Sequence, residues 1–195
     1  MTSPQPGRDL EVAPGRLDRW VAGFVERHGE GPVAYASGRL SKITGGDGSV
    51  ASFAYFPFDP LGVVLLRRGG YAVGLAQGER FVTSKVGTRY VQSRTAAGGW
   101  SQQRFARRRG NQADALVEAV ATHSVALVVP GRPAGLVVGG DRALVRQLLD
   151  DPRLRALTDL PRRELYDLPD PRREVLDRAL DRGRAVRIAL TELPS

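Results

Sequence analysis

Residues 97–109 read AGGWSQQRFARRR, and this stretch holds the most informative pattern in the 195-residue chain. Two adjacent glycines free the backbone before a tryptophan, and two glutamines then precede a run of arginines. Ser101 is a candidate helix N-cap, and the pattern predicts a helix from Gln102 toward Val120 or beyond. Its inner stripe is expected to comprise Phe105, Ala113, Leu116, Val117 and Val120.

The positive charge of the chain is concentrated around the same stretch. The net charge is +8, from 29 basic and 21 acidic residues. Between Arg80 and Ala113, here called the basic segment, there is no Asp or Glu. The basic segment carries Arg80, Lys85, Arg89, Arg94, Arg104, Arg107, Arg108 and Arg109. Because the rest of the chain is balanced, this segment accounts for the whole excess, which favours a polyanionic partner such as RNA.

The composition excludes several classes of site. The chain has no cysteine, so it has neither a disulfide framework nor a thiolate metal site. Its two histidines, His28 and His123, are too few for a histidine-rich metal cluster, and we predict no metal and no cofactor. No apolar run approaches the roughly 20 residues of a membrane span, and the first residues lack the apolar core of a secretory signal. A cytoplasmic protein with no membrane partner is expected.

Hydrophobic periodicity and glycine punctuation predict an α/β or α+β fold, a mixed sheet flanked by helices in a single domain. The expected helices are 15–28, Gln102 to Val120 or beyond, 142–149, and Pro171 to Arg182; the expected strands are 33–43, 50–58, 61–68, 70–77, 81–84 with 88–93, 134–139, 164–167 and 185–190. We expect a disordered leader at 1–14, a helix and strand extension at 15–59, and a catalytic domain at 60–195.

Residues 98–109 resemble the glycine-glycine-glutamine loop of archaeal and eukaryotic class I translation release factors. Seven residues fall into that pattern without a gap: Gly98, Gly99, Ser101, Arg104, Phe105, Ala106 and Arg107. Residues 133–140, PAGLVVGG, resemble the strand after the long helix of the same middle domain. The resemblance covers roughly residues 60–190 and implies the middle-domain fold.

One departure points to a particular branch of that family. Trp100 stands where the release-factor pattern has its glutamine, and glutamines follow at 102 and 103. This displacement resembles the Vms and ankyrin/zinc-finger peptidyl-tRNA hydrolases of ribosome quality control and their actinobacterial relatives. The resemblance implies stop-codon-independent release of nascent chains from peptidyl-tRNA on stalled large ribosomal subunits, by a cytoplasmic enzyme that we expect to be a monomer.

The resemblance assigns the catalytic role to Gln102 or Gln103 on a loop shaped by Gly98 and Gly99. A carboxamide does not titrate near neutral pH, but it can position water and donate to an oxygen that gains charge. We favour Gln102, which is nearest the loop at the helix start, although Gln103 is only about 100° around the helix. The expected RNA contacts are Trp100, Ser101, Arg104, Arg107, Arg108, Arg109, Arg94, Arg89 and Lys85.

Other readings of the sequence remain open. Trp100 in the usual glutamine position suits a module that binds rRNA without hydrolysis, such as a hibernation or assembly factor, and Trp100 could equally be a packing anchor. A metal-dependent nuclease needs converging carboxylates, which the predicted strands lack. A histidine-dependent peptidyl-tRNA hydrolase acting off the ribosome is disfavoured, because neither His28 nor His123 has a recognisable catalytic setting.

Overall fold

A computed structural model describes residues 7–88 and 101–192, with the backbone alone for 101–111. The chain forms two compact units. The larger unit is Phe58–Leu180, and the terminal unit combines Met1–Pro57 with Asp181–Ser195. Each unit has its own five-stranded sheet. The predicted class, a mixed α/β fold with sheets and flanking helices, is confirmed.

The larger unit is built on a mixed sheet. Its strands are β5 (Leu61–Arg67), β6 (Gly70–Gln77), β7 (Arg80–Thr88), β8 (Gly135–Gly140) and β9 (Arg162–Leu165), numbered after four strands of the terminal unit. Their spatial order is β7-β6-β5-β8-β9, with β5, β8 and β9 parallel and the other pairs antiparallel. Six consecutive residues of β5 are buried, as the apolar run 61–66 predicts for a strand covered on both faces.

Helices pack against this sheet through one continuous core. The helices that contribute to this core are α2 (Ser101–Leu127), α3 (Arg142–Leu149) and the short α4 (Arg155–Thr158). A further helix, α5, spans Arg173–Arg184. In α2 the predicted inner stripe is confirmed for Leu116, Val117 and Val120, which join the buried core, and for Ala113, which packs against it. The prediction for Phe105 lies outside the described residues.

One stretch of α2 and the turn after it, Gln112–Gly131, is long and apolar enough by composition to cross a membrane. No such run was expected from the sequence. Leu116, Val117, Val120, Ala121 and Val128 within this stretch are at most 7% exposed and belong to the core that packs on the sheet. Core helices of soluble proteins can be equally long and apolar, so length and composition are weak support for a membrane span.

The terminal unit is an antiparallel sheet with one covering helix. It contains β1 (Arg8–Val12), α1 (Leu17–His28), β2 (Val33–Ala36), β3 (Arg39–Thr44), β4 (Val50–Ala54) and β10 (Val186–Thr191), and the strand order is β1-β10-β4-β3-β2. Phe24 of α1 is fully buried, and the Trp20 ring stacks on it at 5.8 Å and meets Phe53 edge-on at 5.7 Å. The predicted amphipathic helix at 15–28 is therefore confirmed except for its first two residues.

The structure corrects several sequence-based expectations. Arg8–Val12, assigned to a disordered leader, is a strand paired with β10. The segment 33–43, read as one strand, is a hairpin whose turn residues Ser37 and Gly38 both have positive φ, as a type I′ turn requires. The last strand belongs to the terminal unit and not to a domain that runs from residue 60 to the end of the chain. Local sequence patterns do not predict these features, because the features depend on strand partners that are distant in the sequence.

Smaller corrections concern element boundaries. Strand β9 begins at Arg162 and not at Glu164, and α5 begins at Arg173 and not at Pro171. Strand β7 is one strand over Arg80–Thr88 where the sequence suggested two pieces. The predicted continuation of this strand over 89–93 lies outside the described residues.

Gly140 at the end of β8 should tolerate no side chain. Its φ is +104°, and a Cβ there would collide with the backbone oxygen of Leu66. We expect Gly140→Ala to lower the free energy of unfolding by about 1–3 kcal/mol. Gly15→Ala is the matched control, because a Cβ at Gly15 would meet nothing within 4 Å. Urea unfolding of both variants measures the difference, and equal stabilities would contradict the strain at Gly140.

Candidate functional site

The predicted site falls on the connection between an edge strand and the longest helix. Strand β7 is described as far as Thr88 and α2 from Ser101, and residues 89–100 lie between them in the sequence. Arg89, Arg94, Gly98, Gly99 and Trp100 lie outside the described residues.

The remaining predicted site residues lie on α2 or β7. The helix backbone contains Ser101, Gln102, Gln103, Arg104, Arg107, Arg108 and Arg109, whose side chains are outside the described part of the structure. The helix continues through Gly110, and it begins one residue earlier than predicted. Gln102 is therefore its second residue. The proposed capping contact of Ser101 is among the side-chain features that the structure does not describe.

Lys85 is the one predicted RNA contact whose side chain is described. It is exposed on β7, and β7 is an edge strand of the larger sheet. Arg80 is also exposed on β7. Neither cation has an ion-pair partner among the described residues, so both keep their charge available to an external anion.

Two contacts, one helical turn apart, hold the second half of α2 against the sheet. Thr83 on β7 donates its hydroxyl to the backbone oxygen of Leu127 at 3.1 Å. One turn earlier, the His123 ring stacks on Tyr71 with a centroid distance of 5.3 Å. Tyr71 lies at the end of the sheet where Thr88 pairs with Gly70. Followed backwards from Leu127, α2 therefore approaches the sheet end from which the chain leaves toward residues 89–100.

A polar contact and a buried stripe also hold α2 near its middle. Gln147 of α3 donates its amide to the Asp114 carboxylate at 2.9 Å. Ala113 beside it packs against the core. Twelve residues, 101–112, precede Ala113 in the helix, which corresponds to about 18 Å along the helix axis.

Arg153 joins two carboxylates into a cluster on the surface beside α2. Its guanidinium donates to Glu118 at 2.6 and 2.9 Å and to Asp151 at 2.6 Å. These hydrogen bonds hold the pKa of the Glu118 and Asp151 carboxyl groups below their usual values and raise the pKa of Arg153. Asp114 and Glu118 are the first acidic residues after the basic segment, and both are engaged by α3 or by Arg153. These contacts could not be predicted from local sequence patterns, because their partners are 33 and 35 residues away.

The Arg153 cluster predicts a specific response to acid. Both carboxyl groups have a lowered pKa in the folded state, so the unfolded state binds more protons below about pH 4. The stabilisation is complete above the ordinary carboxyl pKa values and is lost as the pH falls through the lowered ones. We expect Arg153→Ala to lose less stability between pH 7 and pH 3 than the wild type in urea unfolding. Arg155→Ala is the control, and identical pH dependences for the wild type and Arg153→Ala would contradict the assignment.

Helical spacing separates position 102 from most of the arginine positions on α2. Gln102 is 18 residues from Val120, which is about five full turns, so position 102 is in line with the sheet-facing Val120. Positions 104, 107 and 108 are each more than about 100° from that line. Position 109 falls near the line of Val120, apart from the other three arginines. The backbone alone therefore divides the predicted docking residues into two faces.

The two histidines have structural surroundings. His28 Nδ1 is 2.8 Å from Asp47 Oδ2, and Asp47 also accepts from the Ser49 backbone N–H at 2.8 Å. These bonds attach the 45–49 turn to the end of α1. His123 stacks on Tyr71 and lies one turn before the end of α2. Among residues 7–88 and 112–192, no three side chains of the types that bind metals form a cluster.

Comparisons with known proteins give a family for most of the chain. A family model described as "Actinobacteria/chloroflexi VLRF1 release factor" matches residues 59–189, a range that begins next to the boundary of the larger unit. No curated protein matches the chain. Among solved structures, an archaeal translation termination factor aRF1 aligns with a TM-score of 0.38 and 18% sequence identity. The alignment covers 54% of this chain and 30% of the archaeal factor.

Proposed function

Because this chain belongs to the Actinobacteria/chloroflexi VLRF1 release factor family, we propose that it is a peptidyl-tRNA hydrolase that frees nascent chains from stalled large ribosomal subunits without reading a stop codon. Membership of a release-factor family implies a role in translation termination or rescue, and therefore contact with the ribosome. The proposal also includes peptidyl-tRNA as the substrate, the large subunit as the docking site, a cytoplasmic location and a monomeric state.

The observation that carries the proposal is the place of the two glutamines in the fold. Gln102 and Gln103 are the second and third residues of a helix that is anchored to the sheet by Leu127 and His123 and to α3 by Asp114. A rigid helix that starts beside a reactive loop can hold an amide at a fixed position relative to the body of the protein. Positions on rigid elements suit a group that acts by geometry and not by titration.

In the proposed reaction, water attacks the ester carbonyl that joins the peptide to the tRNA 3′ end. The ester C–O bond breaks, the peptide leaves as a carboxylic acid, and the tRNA oxygen takes up a proton. The carbonyl of Gln102 accepts a hydrogen bond from the attacking water, and its N–H groups donate to the oxygen that gains negative charge. Backbone N–H groups at the start of α2 are additional donors for that oxygen.

The basic segment provides the binding energy in this proposal. The arginine positions 104, 107 and 108 lie on the helix face away from Gln102, where they would hold phosphates while the amide faces the ester. Position 109 is in line with Val120 and not on that face, so Arg109 is the proposed docking residue with the least support from helical spacing. Lys85 and Arg80 on β7 add exposed positive charge on the strand that leads into the connection.

The decisive experiment follows peptide release from purified large subunits that carry peptidyl-tRNA. Addition of the wild-type protein should release free peptide and leave deacylated tRNA, whereas a Gln102→Ala, Gln103→Ala double variant should bind the complexes and release none. If the wild type binds with high affinity but releases no peptide, the protein is the non-catalytic rRNA-binding module of the alternative reading. If it neither binds nor releases, both functions are wrong.

A further inference from the structure

Three arginines gather at the end of the larger sheet from which residues 89–100 depart. Strand β5 ends at Arg67, its turn continues through Arg68, and Gly70 pairs with Thr88, the last residue of β7. Strand β8 runs parallel to β5 with Leu66 opposite Gly140, so Arg142 at the start of α3 lies at the same end. This is the carboxyl end of the parallel strands, where open α/β sheets commonly bind ligands.

The positive charge at this end is only partly compensated. Arg67 is 3.6 Å from Asp170, whose side chain is 66% exposed. Arg68 and Arg142 are exposed and take part in no ion pair within the described ranges. Asp141 also lies at this end, and its side chain accepts hydrogen bonds from the backbone N–H groups of Ala143 at 2.9 Å and Leu144 at 3.3 Å. Asp141 therefore caps a helix and Asp170 pairs with Arg67, and neither forms an ion pair with Arg68 or Arg142 within the described part of the chain.

Arg67, Arg68 and three neighbouring residues line an open cavity. Its volume is about 400 Å³, and its lining comprises Arg67, Arg68, Gly69, Asp141 and Asp170. A Cβ at Gly69 would come within 3.0 Å of the Asp170 carboxylate, so glycine leaves room at this wall. Beside the cavity, the Arg142 guanidinium lies 4.1 Å from the centroid of the Tyr166 ring. This stacking fixes the orientation of a planar cation that can donate to a phosphate through its free edge.

We infer that Arg67, Arg68 and Arg142 form a second phosphate-binding site, here called the strand-end site, which takes a phosphodiester of the RNA to which the protein docks. The inference rests on the proposed function. A phosphate bound at the strand-end site is remote from the N-terminus of α2, because residues 101–112 alone account for about 18 Å of helix. Binding energy gained at a remote site can orient the reacting groups, which is why the strand-end site would contribute to release and not only to affinity.

The phosphodiester can come from rRNA or from the acceptor arm of the bound tRNA, and one experiment separates the two. An Arg68→Glu, Arg142→Glu variant is compared with Arg132→Glu, Arg155→Glu, which reverses two exposed charges near the opposite, amino end of the parallel strands. Binding to bare large subunits and to subunits loaded with peptidyl-tRNA is measured between 50 and 200 mM salt. Unfolding temperatures of both variants verify that they remain folded.

The strand-end variant should bind about tenfold more weakly than the control, and its slope of log K against log salt should fall by about one per lost phosphate contact. A loss on bare subunits assigns the phosphate to rRNA, and a loss only on loaded subunits assigns it to tRNA. Affinities and salt slopes equal to those of the control on both particles would overturn the strand-end site. That result would leave peptide release by the wild type intact, so it differs from a failure of the proposed function.

Discussion

Gln102→Ala is expected to reduce the rate of peptide release by about 10²–10³-fold while binding to the large subunit is unchanged. The factor is that for removing one preorganised donor from a site where charge develops, about 2.7–4 kcal/mol. Binding should persist because the side chain is neutral and the arginine positions on the opposite helix face are untouched. Single-turnover release from loaded large subunits measures the rate, and sedimentation with the subunits measures binding.

Gln112→Ala is the matched control for this variant. It makes the same substitution in the same helix at an exposed position ten residues further on, and it should release at the wild-type rate. Gln103→Ala tests the alternative residue. A normal rate for Gln102→Ala with a slow Gln103→Ala would move the catalytic role by one position and keep the function. Normal rates for both, and for the double variant, would rule out a catalytic amide in this segment.

Arg107→Glu combined with Arg108→Glu is expected to weaken binding to the large subunit by about 100-fold or more. Two phosphate contacts would be lost, and each is replaced by a repulsive charge. Release at saturating protein should recover part of the wild-type rate, because the amide remains in place. Titrations at several salt concentrations measure the affinity, and the slope of log K against log salt should become shallower by about 0.7–0.9 for each contact.

The control for the arginine pair is Arg155→Glu with Arg178→Glu, which makes the same change in net charge at exposed positions outside the basic segment. If both double variants lost affinity equally, binding would depend on net charge and not on the face of α2. If the Arg107 and Arg108 variant bound normally, electrostatic docking through the basic segment would be wrong.

How far the sequence predicted the larger unit can be judged from its strands and its long helix. The apolar run 61–66 and the glycines after it predicted β5 and β6, since their burial pattern is local to the chain. The stripe from Ala113 to Val120 predicted which face of α2 meets the core. The contacts that fix α2, from Asp114 to Gln147 and from Glu118 to Arg153, could not be predicted, because periodicity carries no information on distant partners.

In the terminal unit, too, features that depend on distant partners could not be predicted from local sequence. Arg8–Val12 has too little apolar character to predict a strand, and it becomes one because β10, about 180 residues away, offers a free edge. Only folding brings the two ends of the chain into one sheet. The family match, which covers residues 59–189, leaves most of this unit outside its range.

The amino-acid sequence by itself determined the chemistry that this protein can present: paired glycines, two carboxamides at a helix start, and a 34-residue segment of unopposed positive charge. These features involve residues that are neighbours in the sequence, so they can be recognised without the tertiary structure. The tertiary structure alone decided where that chemistry is held, because anchoring α2 at Leu127 and His123 and gathering Arg67, Arg68 and Arg142 at one sheet end depend on strand pairing between distant segments.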